Sequence, residues 1–379
     1  MIETADTLLE EGARLANPSK KLRVAVFFGG QSGEHEVSKA SASSVIATLD
    51  SKRYEVFPIY IEPQGQWRWL SSFRGGPFPD SGNEPSVILP ADPSFGGLLV
   101  LKKKGSPQRV PIDVAFPVLH GPHGEDGTIQ GLFELAGIPY VGAGVLASAT
   151  GMDKAVMKAL FQHRNLPNPP FTLVLRHDWC SSRNREQDRI ERTLGYPVFV
   201  KPANLGSSVG ISKAKERAGL QQALELAFQY DPRVVVEKGI VCRELECGVL
   251  GNEEPQASGV AELVPHREFY DYAAKYTEGL TDIVIPAPIP TETADTVRRL
   301  AVEAFKAIAA TGMARVDFFW EKGTGKIYLN EINTIPGFTA TSIYPKLWEA
   351  SGLPYPELLD RLINLALETQ EQARNRKAG

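Results

Sequence analysis

Asp317, Glu331 and Asn333 carry the strongest chemical signal in the chain. They lie in Ala314-Arg-Val-Asp317-Phe-Phe-Trp320 and Ile327-Tyr-Leu-Asn-Glu331-Ile-Asn333, two β-rich runs flanking Gly323-Thr-Gly325. Folded as a hairpin about Gly323 and Thr324, the runs bring Asp317 nearly opposite Glu331, while the strand period of two puts Glu331 and Asn333 on one face. Two carboxylates and an amide oxygen gathered this closely repel one another unless a cation lies between them. Hard oxygen donors without His or Cys select magnesium or manganese, normally shared with substrate phosphates. A one-residue slip in register would turn Asp317 to the other face and leave both acids as ordinary solvent-facing strand residues.

A second candidate is Tyr196-Pro-Val-Phe-Val-Lys201-Pro-Ala-Asn-Leu-Gly206-Ser-Ser-Val-Gly210-Ile, a strand ending in lysine followed by a Gly/Ser loop. Gly206 and Gly210 permit close backbone approach, and loop N–H groups with the Ser207 and Ser208 hydroxyls can cradle phosphate oxygens. Lys201 adds a point charge. As a bare pattern, Gly/Ser loops of this kind commonly bind nothing. The Walker pattern of P-loop enzymes is absent. Gly142-Ala-Gly-Val-Leu-Ala147 matches a dinucleotide fingerprint, but the acidic residue expected about 20 positions on has no candidate, since Asp178 comes too late.

These groups need elements to hold them. Residues 22–28 form an apolar strand ending in Gly29-Gly30, residues 38–49 a helix, and residues 54–61 and 114–119 further strands. That order implies an α/β domain with a parallel sheet, closing near Gly142. His120-Gly-Pro-His-Gly-Glu-Asp-Gly127 then sits at a strand's carboxyl end, where such sheets place ligands. The Gly-, Pro- and Ser-rich stretch 71–111, with strands expected at 86–89 and 97–102, reads as an insertion, and residues 1–20 as a short amphipathic extension. A helix over 153–164 leads into a central unit, 143–239, with strands at 198–201, 209–213 and 234–237. A final unit, 240–379, contains a helix over 293–310 with Val297, Leu300, Ala301, Ala304, Phe305 and Ile308 on one stripe. No repeat of 20 to 50 residues suggests a solenoid.

With 379 residues, 42% hydrophobic and 23% charged, the chain suits two or three globular domains. A formal charge of -4, with Lys102 to Lys104 the longest basic cluster, gives no surplus for a nucleic-acid backbone. Cys180, Cys242 and Cys247 form no C-x-x-C pair, which fits a reducing compartment. Neither a signal-like start nor an apolar run of membrane-spanning length is visible, so the expectation is a cytoplasmic protein with no membrane partner.

The motifs taken together resemble the D-alanine:D-alanine ligases of the ATP-grasp superfamily. The resemblance runs in order from about Arg23 to Leu359, through Phe28-Gly-Gly-Gln-Ser-Gly-Glu-His-Glu-Val-Ser38, Leu119-His-Gly-Pro-His-Gly-Glu-Asp-Gly-Thr128, Met152-Asp-Lys154, Val200 to Gly210, Phe269-Tyr-Asp-Tyr-Ala-Ala-Lys-Tyr276 and Asn330-Glu-Ile-Asn-Thr-Ile-Pro-Gly337. It implies an ATP-grasp fold, α/β at the start and α+β later, which joins two D-alanines at the expense of ATP. On its pattern, Lys154 and Lys201 meet the nucleotide phosphates with Ser207, Ser208 and Lys275. Glu237 and Lys238 meet the adenine edge and Glu244 the ribose. Asp317, Glu331 and Asn333 hold two Mg²⁺ ions, replaceable by Mn²⁺. Glu34 receives the first D-alanine's ammonium, with His120 close by, and Ser342 the second's carboxylate. Arg315 and the Gly337 N–H face the oxyanion, and Glu34, Ser207 and Tyr276 link the domains under a lid at 266–279. Tyr276 points to D-alanine as second substrate, because the lactate-using relatives carry a histidine in that region; D-lactate or D-serine ligation is the alternative. A homodimer is implied as well. A non-catalytic nucleotide-binding protein would be the choice had Lys201 or a metal ligand been lost, and none has been.

Overall fold

The computed structural model describes residues 21–76, 78, 84–206, 209–266 and 281–376. The 1–20 extension, Ser207, Ser208, Lys275, Tyr276 and nearly all of the expected lid lie outside the described residues. Three sheets organise the chain.

The first sheet contains β1 (Leu22–Gly29), β2 (Tyr54–Ile61), β3 (Trp67–Trp69), β4 (Ser86–Ile88), β5 (Gly97–Leu101), β6 (Gln108–Pro111) and β7 (Val114–Pro117), in the order β6-β5-β4-β3-β2-β1-β7. β1 pairs in parallel with β2 and β7 and is buried from Val24 to Phe28, as a strand covered on both faces must be. Helix α1 (His35–Thr48) buries Ser38, Ser41, Ala42, Val45 and Ile46, a single helical stripe, and begins one turn earlier than the apolar pattern indicates. The stretch read as an insertion instead extends the same sheet with antiparallel strands β4, β5 and β6; the charged β6 has no alternating apolar signal of its own.

Helices α2 (Thr128–Ala136), α3 (Val145–Met152) and α4 (Lys154–His163) lead to the second sheet. It comprises β8 (Phe171–Leu175), β9 (Val198–Pro202), β10 (Ser212–Ala214) and β11 (Arg233–Lys238), in antiparallel order β10-β9-β11-β8. Helices α5 (Arg176–Ser181), α6 (Arg183–Leu194) and α7 (Arg217–Ala227) accompany it, and Ile190, Leu220 and Leu224 share its core.

The third sheet holds β12 (Cys242–Gly251), β13 (Gln256–Pro265), β14 (Thr281–Val284), β15 (Gly312–Glu321) and β16 (Ile327–Asn333), in the order β14-β13-β12-β15-β16. Helix α8 (Thr291–Ala307) packs Val297, Leu300, Ala301, Ala304 and Phe305 against it. After α9 (Ile343–Ala350), the chain leaves this unit. Helix α10 (Tyr355–Arg376) buries Leu358, Leu359, Leu362 and Ile363 in the core that contains Val24, Val26 and Phe28. Helix α10 thus lies against both the first and the third sheet, touching β7 and α1 as well as β15.

Candidate active site

The β15/β16 hairpin brings the expected residues together, with a bulge rather than the turn spacing alone setting the pairing. Asp317 lies opposite Glu331 and Arg315 opposite Asn333, so all four side chains start from one face. Past this point the ladder shifts, with Phe318 opposite Leu329, and Asn330 is the extra residue of a bulge. On the other flank of β15, Asp317 lies opposite Glu246 of β12. Arg315 clamps this acidic patch: its Nε and Nη2 donate to the two Asp317 oxygens at 2.7 Å each, and its Nε is 2.9 Å from Glu246 Oε2. Burial alone would lower the Arg315 pKa, but Asp317 and Glu246 overcome it and raise the guanidinium well above its ordinary value. Asn333 Nδ2 donates to Asp317 Oδ2 at 3.1 Å. Among the described residues no cluster of three or more His, Cys, Asp or Glu side chains suits a metal ion. The hairpin offers two carboxylates and an amide, the sparse oxygen set that magnesium takes when phosphates and water complete its shell.

The second sheet supplies the opposite wall. Lys201, on β9, donates to Glu237 Oε2 at 2.9 Å and to Asn330 Oδ1 at 3.4 Å. Glu237 is nearly inaccessible, and its other oxygen lies 3.1 Å from Nζ of Lys158, a residue that motif reading did not single out. Burial would raise the Glu237 pKa, yet Lys158 and Lys201 bring it below its ordinary value, so the carboxylate is ionised. Burial draws Lys158 down from the usual lysine range, with Glu237 opposing. Lys154 opens α4, where Asp153 caps the helix by accepting from the N–H groups of Ala155 and Val156 at 3.0 and 2.9 Å. Asp153 also accepts from Asn204 Nδ2 at 3.0 Å and pairs with Arg233, and Lys154 Nζ reaches the Leu205 carbonyl at 2.5 Å. The Met-Asp-Lys motif is thus a helix start that fastens one lysine to the Gly/Ser loop. Between the walls lies a cleft of about 610 Å³ lined by Lys154, Lys201, Glu237 and Lys238, with Glu244, Asp317 and Glu331 of the third sheet also lining it.

The first domain closes one end of this arrangement. A Cβ built on Gly206 would stand 3.3 Å from Glu34 Oε2, and one on Gly121 would stand 3.2 Å from the same oxygen. Glu34 therefore sits where the Gly/Ser loop meets the His120 loop. Both ring nitrogens of His120 have protein partners, Nδ1 at 3.1 Å from the Ile335 carbonyl and Nε2 at 3.4 Å from Ser41 Oγ. Burial lowers its pKa, and the carbonyl places the proton of the neutral ring on Nδ1. Ser41 Oγ also accepts from the Phe338 N–H at 3.1 Å, so His120 ties α1 to the segment carrying Gly337. Ser342 is the N-cap residue of α9, beside Gly337: a Cβ on that glycine would lie 2.7 Å from Ser342 Oγ. A helix N-terminus with a hydroxyl and a close backbone suits a carboxylate.

Glu125 is the unexpected member of this cluster. It accepts from the Gly121 N–H at 2.7 Å, and burial together with the Glu34 charge pushes it up to about 8. A carboxyl raised in the folded state contributes stability that is complete below its ordinary value near 4.5 and is lost as pH rises through about 8. Glu125→Gln should therefore flatten the decline in melting temperature between pH 5 and 8 by at least about 2 °C. Parallel declines in both proteins would rule out the raised carboxyl.

Two antiparallel sheets that grip a lysine-lined cleft, beside a mixed-sheet domain that presents a carboxylate, define an ATP-grasp enzyme. Solved structures agree: the chain superposes with a TM-score of 0.82 on the VanG D-Ala:D-Ser ligase of Enterococcus faecalis, at 38% identity over 92% of this chain and 100% of that one. The D-alanine-D-alanine ligase of Coxiella burnetii also gives 0.82, at 35% identity over 94% and 98%. The chain belongs to the D-alanine–D-alanine ligase family, since the family models described as D-ala D-ala ligase N-terminus and C-terminus match residues 23–143 and 160–364. Among curated relatives, the D-alanine–D-alanine ligase of Heliobacterium modesticaldum is 52% identical over 94% of this chain and 97% of its own length. That of Geobacillus kaustophilus is 47% identical over 93% and 96%.

Proposed function

We infer that the chain uses ATP to join two D-alanine molecules into D-alanyl-D-alanine, releasing ADP and phosphate, as a step of peptidoglycan precursor synthesis. The observation that carries this reading is the cleft itself, with lysines on one wall and the Asp317/Glu331 pair on the other, opening toward Glu34.

A carboxylate is a poor electrophile, so the first D-alanine must be activated by attack of its oxygen on the γ-phosphate of ATP, giving a D-alanyl phosphate. Lys154 and Lys201 stabilise the phosphate charge, Glu237 and Lys238 lie along the adenine edge, and Glu244 meets the ribose. Glu34 binds the first ammonium while His120 braces the surrounding loops. Ser342 and the α9 N-terminus receive the second carboxylate. Arg315 and the Gly337 N–H face the oxygen that gains charge when the second amine attacks the activated carbonyl. Asp317, Glu331 and Asn333 would hold two Mg²⁺ ions, or Mn²⁺ in their place, which supply charge neutralisation on the transferring phosphoryl group. Ser207, Ser208, Lys275 and Tyr276 complete the site on this reading, and a lid over 266–279 protects the acyl phosphate from water.

Among the described residues no helix is long and apolar enough to cross a membrane. A cytoplasmic homodimer is part of the same reading. Purified protein given ATP, Mg²⁺ and D-alanine should release phosphate and dipeptide in equal amounts, and with L-alanine should release neither. The likeness to a D-Ala:D-Ser ligase makes D-serine the informative competitor. Predominant D-alanyl-D-serine from an equal mixture, or depsipeptide when D-lactate is offered, would reassign the second substrate.

A further inference from the structure

Lys158 is fully buried, and its ammonium bridges two sheets. Nζ lies 3.1 Å from Glu237 Oε1 on β11 and donates to the Asn330 carbonyl on β16 at 3.2 Å. It stands one helical turn beyond Lys154, and it does not line the cleft. Glu237 and Asn330 also hold Lys201, through other atoms: Lys201 donates to the second Glu237 oxygen at 2.9 Å and to the Asn330 side chain at 3.4 Å.

The charge count makes this arrangement consequential. A single buried carboxylate facing Lys201 alone would form a closed pair, in which most of the ammonium's charge is compensated before any phosphate arrives. A second lysine on the same carboxylate competes with Lys201 for it, so Lys201 is not closed off in that pair. The bond to the Asn330 carbonyl acts at the bulge next to Glu331, so the same residue also holds the backbone that carries a proposed metal ligand.

We propose that Lys158 is a positioning residue for the nucleotide site: by sharing Glu237 with Lys201 and pinning the Asn330 backbone, it keeps Lys201 and Glu331 turned to the triphosphate. The proposal rests on the assignment of the cleft to ATP. Lys158→Met should raise the KM for ATP by about tenfold, in the range of couplings between contacting residues, and leave the KM for D-alanine within about twofold. In a Glu237→Gln background the same change should cost clearly less than in the parent, because the shared carboxylate is gone and only the bond to the Asn330 carbonyl remains to be lost. Equal costs in the two backgrounds, or a lower melting temperature with an unchanged KM for ATP, would reduce Lys158 to a core residue and overturn the proposal. Should Lys158→Met not fold, Lys158→Gln, which keeps a donor for the Asn330 carbonyl, serves in the same comparison. Lys201→Met separates the two failures. If it leaves the KM for ATP unchanged, the cleft assignment itself fails; if it raises that KM while the Lys158 variants do not, only the positioning role falls.

Discussion

Glu331→Gln should lower turnover by at least about 10²-fold while leaving the fold intact. Glutamine has the shape of glutamate, so the β15/β16 ladder loses neither a backbone bond nor packing volume. What changes is charge. Glu331 faces Asp317 directly across the ladder, in a patch that also holds Glu246 and that Arg315 clamps through two guanidinium bonds to Asp317. Removing one carboxylate relieves repulsion in the free protein, which should hold its melting temperature or raise it slightly. The same change weakens the hold on a divalent cation, so the Mg²⁺ concentration for half-maximal rate should rise along with the loss in kcat. Steady-state phosphate release across a magnesium titration distinguishes these effects. Near-normal phosphate release at ordinary magnesium would remove Glu331 from the metal site.

The legibility of this hairpin in the sequence has a simple cause. Side-chain parity in a strand is strict, and a short Gly-containing turn limits the register, so Asp317 could be placed close to Glu331 from spacing; the direct pairing also needs the bulge at Asn330, which the turn spacing does not announce. Glu246 could not be found in that way. It reaches Asp317 only because β12 lies beside β15, a pairing between segments some 70 positions apart that no local pattern encodes. The same limit hid the destination of α10: its apolar stripe announces a buried helix but not that it packs beside β7 and α1, from the first part of the chain. Lys158 did leave a signal. It falls on the same buried side of α4 as Lys154 and Phe161, and a lysine inside an apolar stripe demands a buried partner, although only the fold reveals that the partner is Glu237. Glu125, within a glycine-rich loop, gave no hint of its environment, because its proton affinity is set by burial and by Glu34 from a different loop.

Arg315→Ala is the variant for which the structure changes the expectation most. On the motif alone, loss of a positive group facing the oxyanion costs rate, by roughly 10²- to 10³-fold, and nothing else. The structure adds a stability cost, because Arg315 is the cation for Asp317 and Glu246, both buried and both within 2.9 Å of its guanidinium. Taking one partner from a buried ion pair typically costs about 3 to 5 kcal/mol, since the remaining charge is left uncompensated. The melting temperature should accordingly fall by on the order of 10 °C. Arg315→Lys should recover little, because an ammonium cannot reproduce the two-pronged contact with Asp317. The two costs part company when magnesium is added without substrates. In Arg315→Ala the stranded carboxylates form a stronger cation site, so Mg²⁺ should restore several degrees of the lost melting temperature while doing little for the unaltered protein. It should not restore kcat, because an ion held at Asp317 does not replace a guanidinium facing the developing oxyanion. An unchanged kcat would strip Arg315 of its role toward substrate, and an unchanged melting temperature would show that Asp317 and Glu246 do not depend on it.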